Sequence, residues 1–365
     1  MSMRQYIQRI ATGPELSKDL SREEAKEATR QILSGAADPV QAAIFLIALR
    51  MKRETMDENR GVLDALLDDT NRVTARVPRV LDLADPYDGF TRGMPAAAFL
   101  PPVLAACGVP TVSNGAEAIG PKYGATHRKV LRAAGVPVDF RPEEAARRLE
   151  DPLIGWAYVD QRFACPALHA LVDLRTRIVK RPCLTTLEVL LGPVRGAEQT
   201  HLVTGYVHKP YPPIYTALAR QSGYTSAQIV RGVEGGVIPS LNQPSKFFAY
   251  HDDHDDKETR LDPTGFGIVS SVRAVPLPKD LPSQEVQDDI QGVIDSDGLA
   301  VATAREGIEA LEGVQGPFRE SLVYGAAIYL CYLGIEKNPE ASGDLVRRAL
   351  DSGDARGRFE AAKTG

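Results

Sequence analysis

Two stretches of the sequence are rich in basic side chains that could bind anions. Arginine suits phosphate or carboxylate recognition because its planar fork donates two parallel hydrogen bonds. If both stretches line one groove, each phosphate that they neutralise releases counterions, which makes binding strongly dependent on salt. The alternative is that the two stretches form separate solvent-exposed basic surfaces, whose positive charge is balanced by acidic residues elsewhere in the chain. The basic residues concerned are Lys122, Arg128, Lys129, Arg175, Arg177 and Arg181.

Aromatic side chains alternate with cations between residues 206 and 224. Stacking surfaces beside positive charges are what single-stranded nucleic acids bind. Tyrosine is also a common core and loop-anchoring residue, so structural packing is the favoured interpretation, and the signal for nucleic-acid binding is weak by itself. The residues of this stretch are Tyr206, His208, Lys209, Tyr211, Tyr215, Arg220 and Tyr224.

The run from His251 to Asp256 combines imidazole and carboxylate groups that could bind a transition metal. The charged residues that follow it favour a solvated acidic loop with no bound metal. The isolated His169 and His201 are predicted to be packed or surface residues. The sequence holds no Gly-x-Ser-x-Gly elbow and no P-loop, so it indicates no catalytic nucleophile.

Composition places the chain among ordinary globular proteins. It has 365 residues, of which 43% are hydrophobic and 25% charged, and a formal charge of -5. This length suggests roughly two domains, and the proportions exclude a disordered chain. The four cysteines lie in separate apolar settings, which predicts reduced thiols and a cytoplasmic location. No apolar stretch reaches the roughly 20 residues of a membrane helix, and the N-terminal stretch lacks a signal-peptide core.

The net charge argues against a generic polyanion binder, but it conceals an uneven distribution. Acids are concentrated in 141–151, 251–258 and 285–297, away from the basic stretches. The sum is therefore compatible with a dipolar surface that has one positive groove.

The elements that must position these side chains fall into two groups. Residues 1–75 are predicted to form a helical domain, with a capping box at Ser21 and Glu24. From residue 76 to 365, short apolar strands alternate with helices, which predicts an α/β domain with a mostly parallel central sheet. The helical stretch 166–190 interrupts this series and is expected to pack on the N-terminal domain.

Seven strands are predicted within the α/β part, and two stretches are predicted to be loops. The loops are 251–259 and 276–282. The predicted strands are 80–83, 109–113, 136–140, 154–159, 201–207, 227–231 and 267–272.

This order of elements, with the opening segment GAADPVQAAIFLIALRMKRETMDE, resembles the anthranilate phosphoribosyltransferases of glycosyltransferase family 3. The resemblance covers nearly the whole chain. It implies the phosphoribosyltransferase fold of this family and a homodimer that forms through the N-terminal helices.

The family's phosphate-binding landmarks are altered in this chain. The enzymes carry GTGGDG after the first strand of the sheet, where small residues let backbone N–H groups approach a diphosphate. Here the segment is ADPYDG, in which only Asp88 and Gly89 match. The KHGNR landmark, which places a lysine by the ribose, corresponds to SNGAE, so Asn114 and Gly115 would remain as a vestigial ligand turn.

The family's magnesium landmark is an Asp-Glu pair, which corresponds here to Val237 and Ile238. Glu234 is the one nearby carboxylate and a weak candidate ligand, so magnesium is expected only if the protein is an active transferase. The arginine-rich landmark is kept, from Phe163 to Arg181.

Loss of three landmarks with retention of the basic helix is most similar to the YbiB-type branch of the family, which is associated with nucleic-acid binding. We therefore expect a phosphate-bearing small molecule or single-stranded nucleic acid in a basic cleft. Residues 175, 177 and 181 would grip phosphates, and residues 122, 128 and 129 would form the opposite wall. The alternative is an active phosphoribosyl- or glycosyltransferase with an atypical donor site that uses Asp88, Asn114 and Glu234.

Overall fold

The computed structural model describes residues 1–13, 15–281, 283–284 and 293–364. Of the predicted acidic stretch 285–297, the first eight residues lie outside the described residues, as does the last residue of the predicted loop 276–282.

Four helices form the N-terminal part of the chain. Ser21 accepts a hydrogen bond from the backbone of Glu24, and the Glu24 side chain accepts one from the backbone of Ser21, which confirms the predicted capping box. Thr55 and Glu58 repeat this arrangement at the start of the fourth helix. The helices are α1 (Met3–Ile10), α2 (Arg22–Leu33), α3 (Pro39–Lys52) and α4 (Met56–Asp68).

The rest of the chain contributes the sheet and the helices that cover it. The strands are β1 (Val73–Thr74), β2 (Arg79–Ala84), β3 (Thr111–Gly115), β4 (Trp156–Asp160), β5 (Val194–Arg195), β6 (Gln199–Gly205), β7 (Ser226–Val230), β8 (Ser245–His251), β9 (Lys257–Leu261), β10 (Ser283–Gln284) and β11 (Val293–Ile294). The helices are α5 (Leu100–Ala106), α6 (His127–Ala133), α7 (Pro142–Glu150), α8 (Gln161–Ala164), α9 (Pro166–His169), α10 (Val172–Ile178), α11 (Leu184–Leu187), α12 (Pro212–Gln221), α13 (Ser296–Leu311), α14 (Pro317–Tyr332), α15 (Pro339–Asp351) and α16 (Asp354–Thr364). Short 3-10 turns occupy Ala96–Phe99, Glu188–Leu190, Val233–Gly235 and Pro263–Phe266.

A seven-stranded sheet forms the centre of the α/β part, in the order β4-β3-β2-β6-β7-β8-β9. The first five strands are parallel, and β8 and β9 add an antiparallel edge beside β7. The predicted fold class, a helical N-terminal part followed by an α/β part with a mostly parallel sheet, is confirmed. Because β2 and β6 are adjacent and parallel, their carboxyl ends open at the same edge of the sheet.

The predicted strand 136–140 is wrong. Val136 and Val138 are buried and their neighbours exposed, so the alternation is real. The segment nevertheless joins no sheet of the described chain. Pro137 lacks the N–H group that a strand ladder needs at that position.

The predicted strand 267–272 and the predicted loop 251–259 are also corrected. Gly267 has φ +72° and closes a 3-10 turn, and Val269 after it is 87% exposed. The edge hairpin is instead formed by β8 and β9, where Lys246 pairs with Glu258 across the strands at 2.6 Å. The charged sequence of β9 lacks an apolar alternation because this edge strand faces solvent, so its pattern is that of a loop.

The stretch 166–190 packs against the N-terminal helices. Leu168 and Leu184 belong to the same buried apolar cluster as Phe45 and Leu66, and α10 lies in contact with α3. The carboxyl edge of the sheet therefore faces a layer of helices, with a cleft between them. Among the residues that the structure describes, no helix is both long and apolar enough to cross a membrane.

Candidate functional site

A cleft of about 170 Å³ lies beyond the carboxyl ends of β2 and β6. Ligands of α/β proteins commonly bind at this edge of the sheet. Segments from both parts of the chain line it, including helix α3 and the stretch after α10. Its charged and aromatic lining residues are Arg50, Asp88, Lys122, Arg181, Tyr206, His208, Tyr211, Tyr215 and Glu234.

Asp88 is paired with two cations inside this cleft. Its carboxylate is 2% exposed and accepts hydrogen bonds from Nε of Arg181, at 3.0 Å, and from Nη2 of the same side chain. Lys122 Nζ lies 3.5 Å from the other oxygen and donates to the carbonyl of Gly89 at 2.8 Å. The structure thus brings four of the predicted residues together, but it uses the two cations to neutralise Asp88.

The carboxylate of Glu234 accepts hydrogen bonds from neighbouring backbone N–H groups in the same cleft. Its carboxylate accepts hydrogen bonds from the backbone N–H of Thr91 at 3.1 Å and of Arg92 at 3.0 Å. The Thr91 hydroxyl donates to it at 3.2 Å, and Lys122 lies 3.7 Å away. Consecutive N–H groups that converge in this way form a typical anion-binding concavity. Here a carboxylate of the chain itself fills it.

Three positions of the loop between β2 and Thr91 offer no free backbone N–H group to a phosphate. The N–H of Gly89 donates to the carbonyl of Pro86, and the N–H of Phe90 donates to the carbonyl of Ala125, both at 3.0 Å. Pro86 has no N–H group. Gly89, at φ +75°, packs so closely on Gly124 that a Cβ would lie 2.7 Å from its backbone.

A buried polar network lies beneath this loop. The Tyr87 hydroxyl donates to Oδ1 of Asn114, whose Nδ2 donates to Asp82 at 2.7 Å. The Tyr224 hydroxyl donates to the other oxygen of Asp82 at 2.6 Å. Burial raises the pKa of Asp82 to about 6 and raises the pKa of Tyr87 well above its ordinary value. Asn114 and the buried Gly115 that follows it therefore belong to the interior rather than to the cleft wall.

The additional carboxylate of the loop, Asp85, is satisfied internally. Its Oδ2 lies 2.8 Å from Nε2 of His127, and its Oδ1 accepts a hydrogen bond from the N–H of Val237 at 2.8 Å. Both Asp85 and His127 are buried. This contact ties the loop after β2 to helix α6 and to the position of the family's magnesium landmark.

The residues at that landmark do not fit a magnesium site. Val237 and Ile238 offer no side-chain oxygen, and the carboxylates of Asp88 and Glu234 are held by cations and N–H groups. Across the described ranges there is no group of three potential histidine, cysteine or carboxylate ligands. Magnesium prefers several free hard oxygens, which this site does not supply.

The other predicted basic residues lie outside the cleft. Arg128 is buried between Asp139 at 2.8 Å and Asp160 at 2.9 Å. Lys129 lies 3.1 Å from Asp297. Arg175 is buried against a carboxylate of its own segment, and Arg177 is exposed beside Asp173. Residues 128 and 129 therefore form no wall opposite residues 175 to 181, and Arg175 is enclosed by the chain.

Arg50 is a cleft residue that the sequence interpretation missed. Its Nη1 donates to the hydroxyl of Tyr211 at 2.5 Å, and the guanidinium carbon lies 5.9 Å from the centre of that ring. Tyr206 and Tyr215 line the cleft, whereas Tyr224 lies in the buried network. Arg50 lies in the last turn of the apolar helix α3, far from the tyrosines in the sequence, and no signal in its own segment connects it with them.

The acidic loop after His251 is organised by Arg220. The Arg220 guanidinium donates to the carbonyls of Asp252, at 2.7 Å, and His254, at 2.5 Å, and lies 3.1 Å from Asp256. These contacts orient the loop around a cation. This loop remains apart from the cleft, which it does not line.

Comparison with protein families supplies the identity of this fold. Residues 4–70 match the helical bundle domain of the glycosyl transferase family, and residues 96–356 match its a/b domain. The chain belongs to this glycosyl transferase family. Among family members, the anthranilate phosphoribosyltransferase of Bradyrhizobium sp. strain BTAi1 is 27% identical over 362 residues, 98% of this chain and 97% of that protein. An uncharacterised protein of Aquifex aeolicus is 29% identical over 275 residues, 74% of this chain and 78% of that protein.

Solved structures of the family show the same fold. The anthranilate phosphoribosyltransferase of Thermus thermophilus superposes with a TM-score of 0.74 at 18% identity and covers 99% of this chain and 98% of its own. The Saccharomyces cerevisiae enzyme, in complex with PRPP and Mg, gives a TM-score of 0.75 at 16% identity over 98% of this chain and 96% of its own. The family and the fold class expected from the resemblance are confirmed.

Proposed function

We propose that this glycosyl transferase family protein does not transfer a phosphoribosyl group to anthranilate and instead binds a phosphate-bearing ligand, foremost single-stranded nucleic acid, in the cleft. The observation that carries the first part is the position of Glu234. Its carboxylate occupies the N–H groups of Thr91 and Arg92 and faces Lys122. Transfer from phosphoribosyl pyrophosphate needs such donors for the leaving diphosphate, usually together with magnesium.

The mixture of charges and rings in the cleft supports the second part. Three cations, Arg50, Lys122 and Arg181, line it against two carboxylates. Tyr211 and Tyr215 stand 6.1 Å apart, centre to centre, on the same wall. Cations that contact phosphates and rings on which bases stack are the two components of single-strand binding. This cleft is less basic than the groove predicted from the sequence, because Arg128, Lys129 and Arg175 pair with carboxylates elsewhere.

Altered landmarks also support a place in the YbiB-type branch of the family. Tyr87 and Asp85 stand where the enzymes have small residues, and both are built into internal contacts. The segments GYVHKPYPPIYTALA and IVRGVEGGV, which resemble that branch, both contribute residues to the cleft.

The test is a fluorescence-polarisation titration of a labelled single-stranded DNA at low salt. Arg181→Ala should weaken binding several-fold and lower the slope of log affinity against log salt by about 0.7 for each phosphate that the arginine neutralises in the native complex. Arg356→Ala is the matched control, since this arginine is 46% exposed, compared with 43% for Arg181, and is also paired with a carboxylate. Absence of binding by the native protein, or an unchanged affinity in Arg181→Ala, would refute the proposal.

The second candidate is an active transferase with an atypical donor site. It is supported by the position of Asp88 and Glu234 on either side of Lys122 in one cleft. Calorimetry with phosphoribosyl pyrophosphate and magnesium discriminates the two. Heat of binding that disappears in Asp88→Asn would favour the transferase, and no heat at millimolar ligand would eliminate it.

We also propose a homodimer that forms through the N-terminal helices. Helix α3 exposes three apolar side chains at helical spacing, Val40 at 66%, Ile44 at 45% and Met51 at 78%. An exposed apolar stripe of this kind is typical of an interaction surface. Residues 166–190 share a buried apolar core with the N-terminal helices, which supports a helical domain that ends near residue 75 and includes this stretch. The four cysteines are free thiols, which supports a cytoplasmic location.

A further inference from the structure

A second groove adjoins the cleft on the side of strands β7 and β8. Its volume is about 620 Å³, and it shares Tyr206, Val207, Glu234 and Gly235 with the cleft. Three arginines from separate segments line it. They are Arg92, Arg231 and Arg273.

These three arginines differ from those of the cleft in their surroundings. All three are exposed. Within the part of the chain that the structure describes, none of their guanidinium groups takes part in a hydrogen bond or an ion pair. Glu234 is the one carboxylate among the residues that line the groove, and it is held by backbone N–H groups and Lys122.

The backbone that carries the arginines is fixed by hydrogen bonds. The N–H of Arg92 donates to Glu234 at 3.0 Å. The N–H of Arg231 donates to the carbonyl of Lys246, and the carbonyl of Arg273 accepts from the N–H of Leu241, both at 2.9 Å. A ligand therefore has to order only the side chains, and the cost in conformational entropy is correspondingly small.

Charge and shape together indicate the chemistry of the ligand. Three positive charges in one groove repel one another, and a bound anion removes this repulsion. Guanidinium groups match the oxygens of a phosphoryl group with paired hydrogen bonds. One carboxylate would neutralise a third of this charge, whereas two or more phosphoryl groups match it. Ser240, Gln243 and Ser245 add neutral polar groups to the same lining.

We propose that Arg92, Arg231 and Arg273 form a second anion-binding site, beside the cleft, for a ligand that carries at least two phosphoryl groups. The site lies beyond the cleft of the proposed function and does not depend on it. The phosphoryl groups belong either to a compact polyphosphate or to successive phosphodiesters of a strand, and the two sources can be separated by experiment.

Two probes separate these sources, namely inorganic tripolyphosphate and a thymidine oligonucleotide of about 12 nucleotides. Calorimetry compares the native protein with a variant that combines Arg92→Gln, Arg231→Gln and Arg273→Gln. We expect a loss of affinity of about tenfold or more, which corresponds to about 1.4 kcal/mol. Arg305→Gln is the matched control, because Arg305 is also exposed but lines a different depression.

A loss for tripolyphosphate supports the site with a compact polyphosphate as ligand, and a loss for the oligonucleotide alone supports it with a phosphodiester strand. Unchanged affinity for both probes overturns the proposal. Arg181→Ala keeps the two proposals distinguishable, because it alters the cleft and leaves the three arginines in place. If the triple variant unfolds at a lower temperature, Arg231→Lys replaces it: the charge remains but the fork is lost, and an affinity equal to that of the native protein overturns the proposal.

Discussion

Arg175 and Glu188 form a two-pronged ion pair in the interior of the protein. Nη1 donates to one carboxylate oxygen at 2.6 Å, and Nη2 donates to the other at 2.9 Å. The side chains are 1% and 0% exposed. The arginine that the sequence offers as the first phosphate contact is thus enclosed by its own chain, and it holds the helical segment together.

Removal of Arg175 should therefore affect stability rather than ligand contact. Arg175→Ala leaves the buried carboxylate of Glu188 without its partner, which typically costs about 3 to 5 kcal/mol. Arg177→Ala, at an exposed position two residues later, should change the free energy of unfolding by no more than about 0.5 kcal/mol. Urea unfolding of both variants measures the difference. Equal stability of the two would contradict the structural role.

Substitution of Glu234 should open the anion-binding concavity. Glu234→Gln keeps the size of the side chain but removes the charge that faces Lys122 and the N–H groups of Thr91 and Arg92. We expect the affinity for inorganic pyrophosphate to rise about tenfold, since an incoming anion no longer competes with a carboxylate.

Calorimetry with pyrophosphate is the measurement for this variant. Glu258→Gln is the control, because that carboxylate is paired with Lys246 on the edge hairpin and is 43% exposed. A fall in affinity in Glu234→Gln would show that the carboxylate assists anion binding, contrary to this interpretation.

The buried carboxylate of Asp82 should make the protein less stable as the pH rises from about 4 to about 6. Burial raises its pKa from 3.8 to about 6 in the folded protein, so the folded state binds the proton more tightly than the unfolded chain. The contribution of Asp82 to the free energy of unfolding then falls by about 3 kcal/mol across this window. Asp82→Asn should remove this contribution, as measured by urea unfolding over a pH series. The same slope in the variant and the native protein would assign the effect to another group.

His201 should contribute with the opposite sign. Burial lowers its pKa from 6.5 to about 4, so the unfolded chain binds the proton more tightly. The contribution of His201 to the free energy of unfolding therefore rises by about 3 kcal/mol from about pH 4 to about pH 6.5. In the native protein the contributions of Asp82 and His201 to the pH dependence of the free energy of unfolding largely cancel. His201→Gln should therefore reveal the fall in stability with rising pH that Asp82 causes. If the free energy of unfolding of His201→Gln stays constant over this pH range, the two residues do not have the opposing contributions predicted here.

The proposed dimer predicts a specific effect on helix α3. Ile44→Asp places a charge in the centre of the exposed apolar stripe, and it should convert the dimer to monomers in sedimentation velocity. Leu153→Asp is the control, because Leu153 is 72% exposed and lies in the α/β part. A monomeric native protein at micromolar concentration would rule out the dimer.

Much of the fold could be predicted because its signals are local. Ser21 and Glu24 mark the start of a helix within four residues, and the parallel strands are short apolar runs. Strand β9 could not be predicted, since its position depends on pairing with β8 and its own sequence is charged. The alternation of Val136 and Val138 reports burial correctly but says nothing about hydrogen-bonding partners.

The candidate site was harder to predict than the fold, for a physical reason. Sequence indicates which side chains are basic, but it does not indicate which of them the chain neutralises. Arg128 and Arg175 form ion pairs with buried carboxylates. Arg92 and Arg231, in contrast, remain unpaired within the described residues. A site of this kind depends on ion pairs between residues that are distant in the sequence.

The hydrogen bond between Tyr87 and Asn114 constrains how the glycine-rich phosphate loop of the family's enzymes could be introduced into this chain. Replacement of Tyr87 by glycine alone would leave the buried amide oxygen of Asn114 without its donor and open a void beside Asp82. Introduction of the glycine loop therefore requires coordinated substitution of residues 87 and 114, together with release of the amides held by Glu234. Substitution of residue 87 alone therefore lowers stability, and its effect depends on which residue stands at position 114, so the two substitutions are expected to be strongly non-additive.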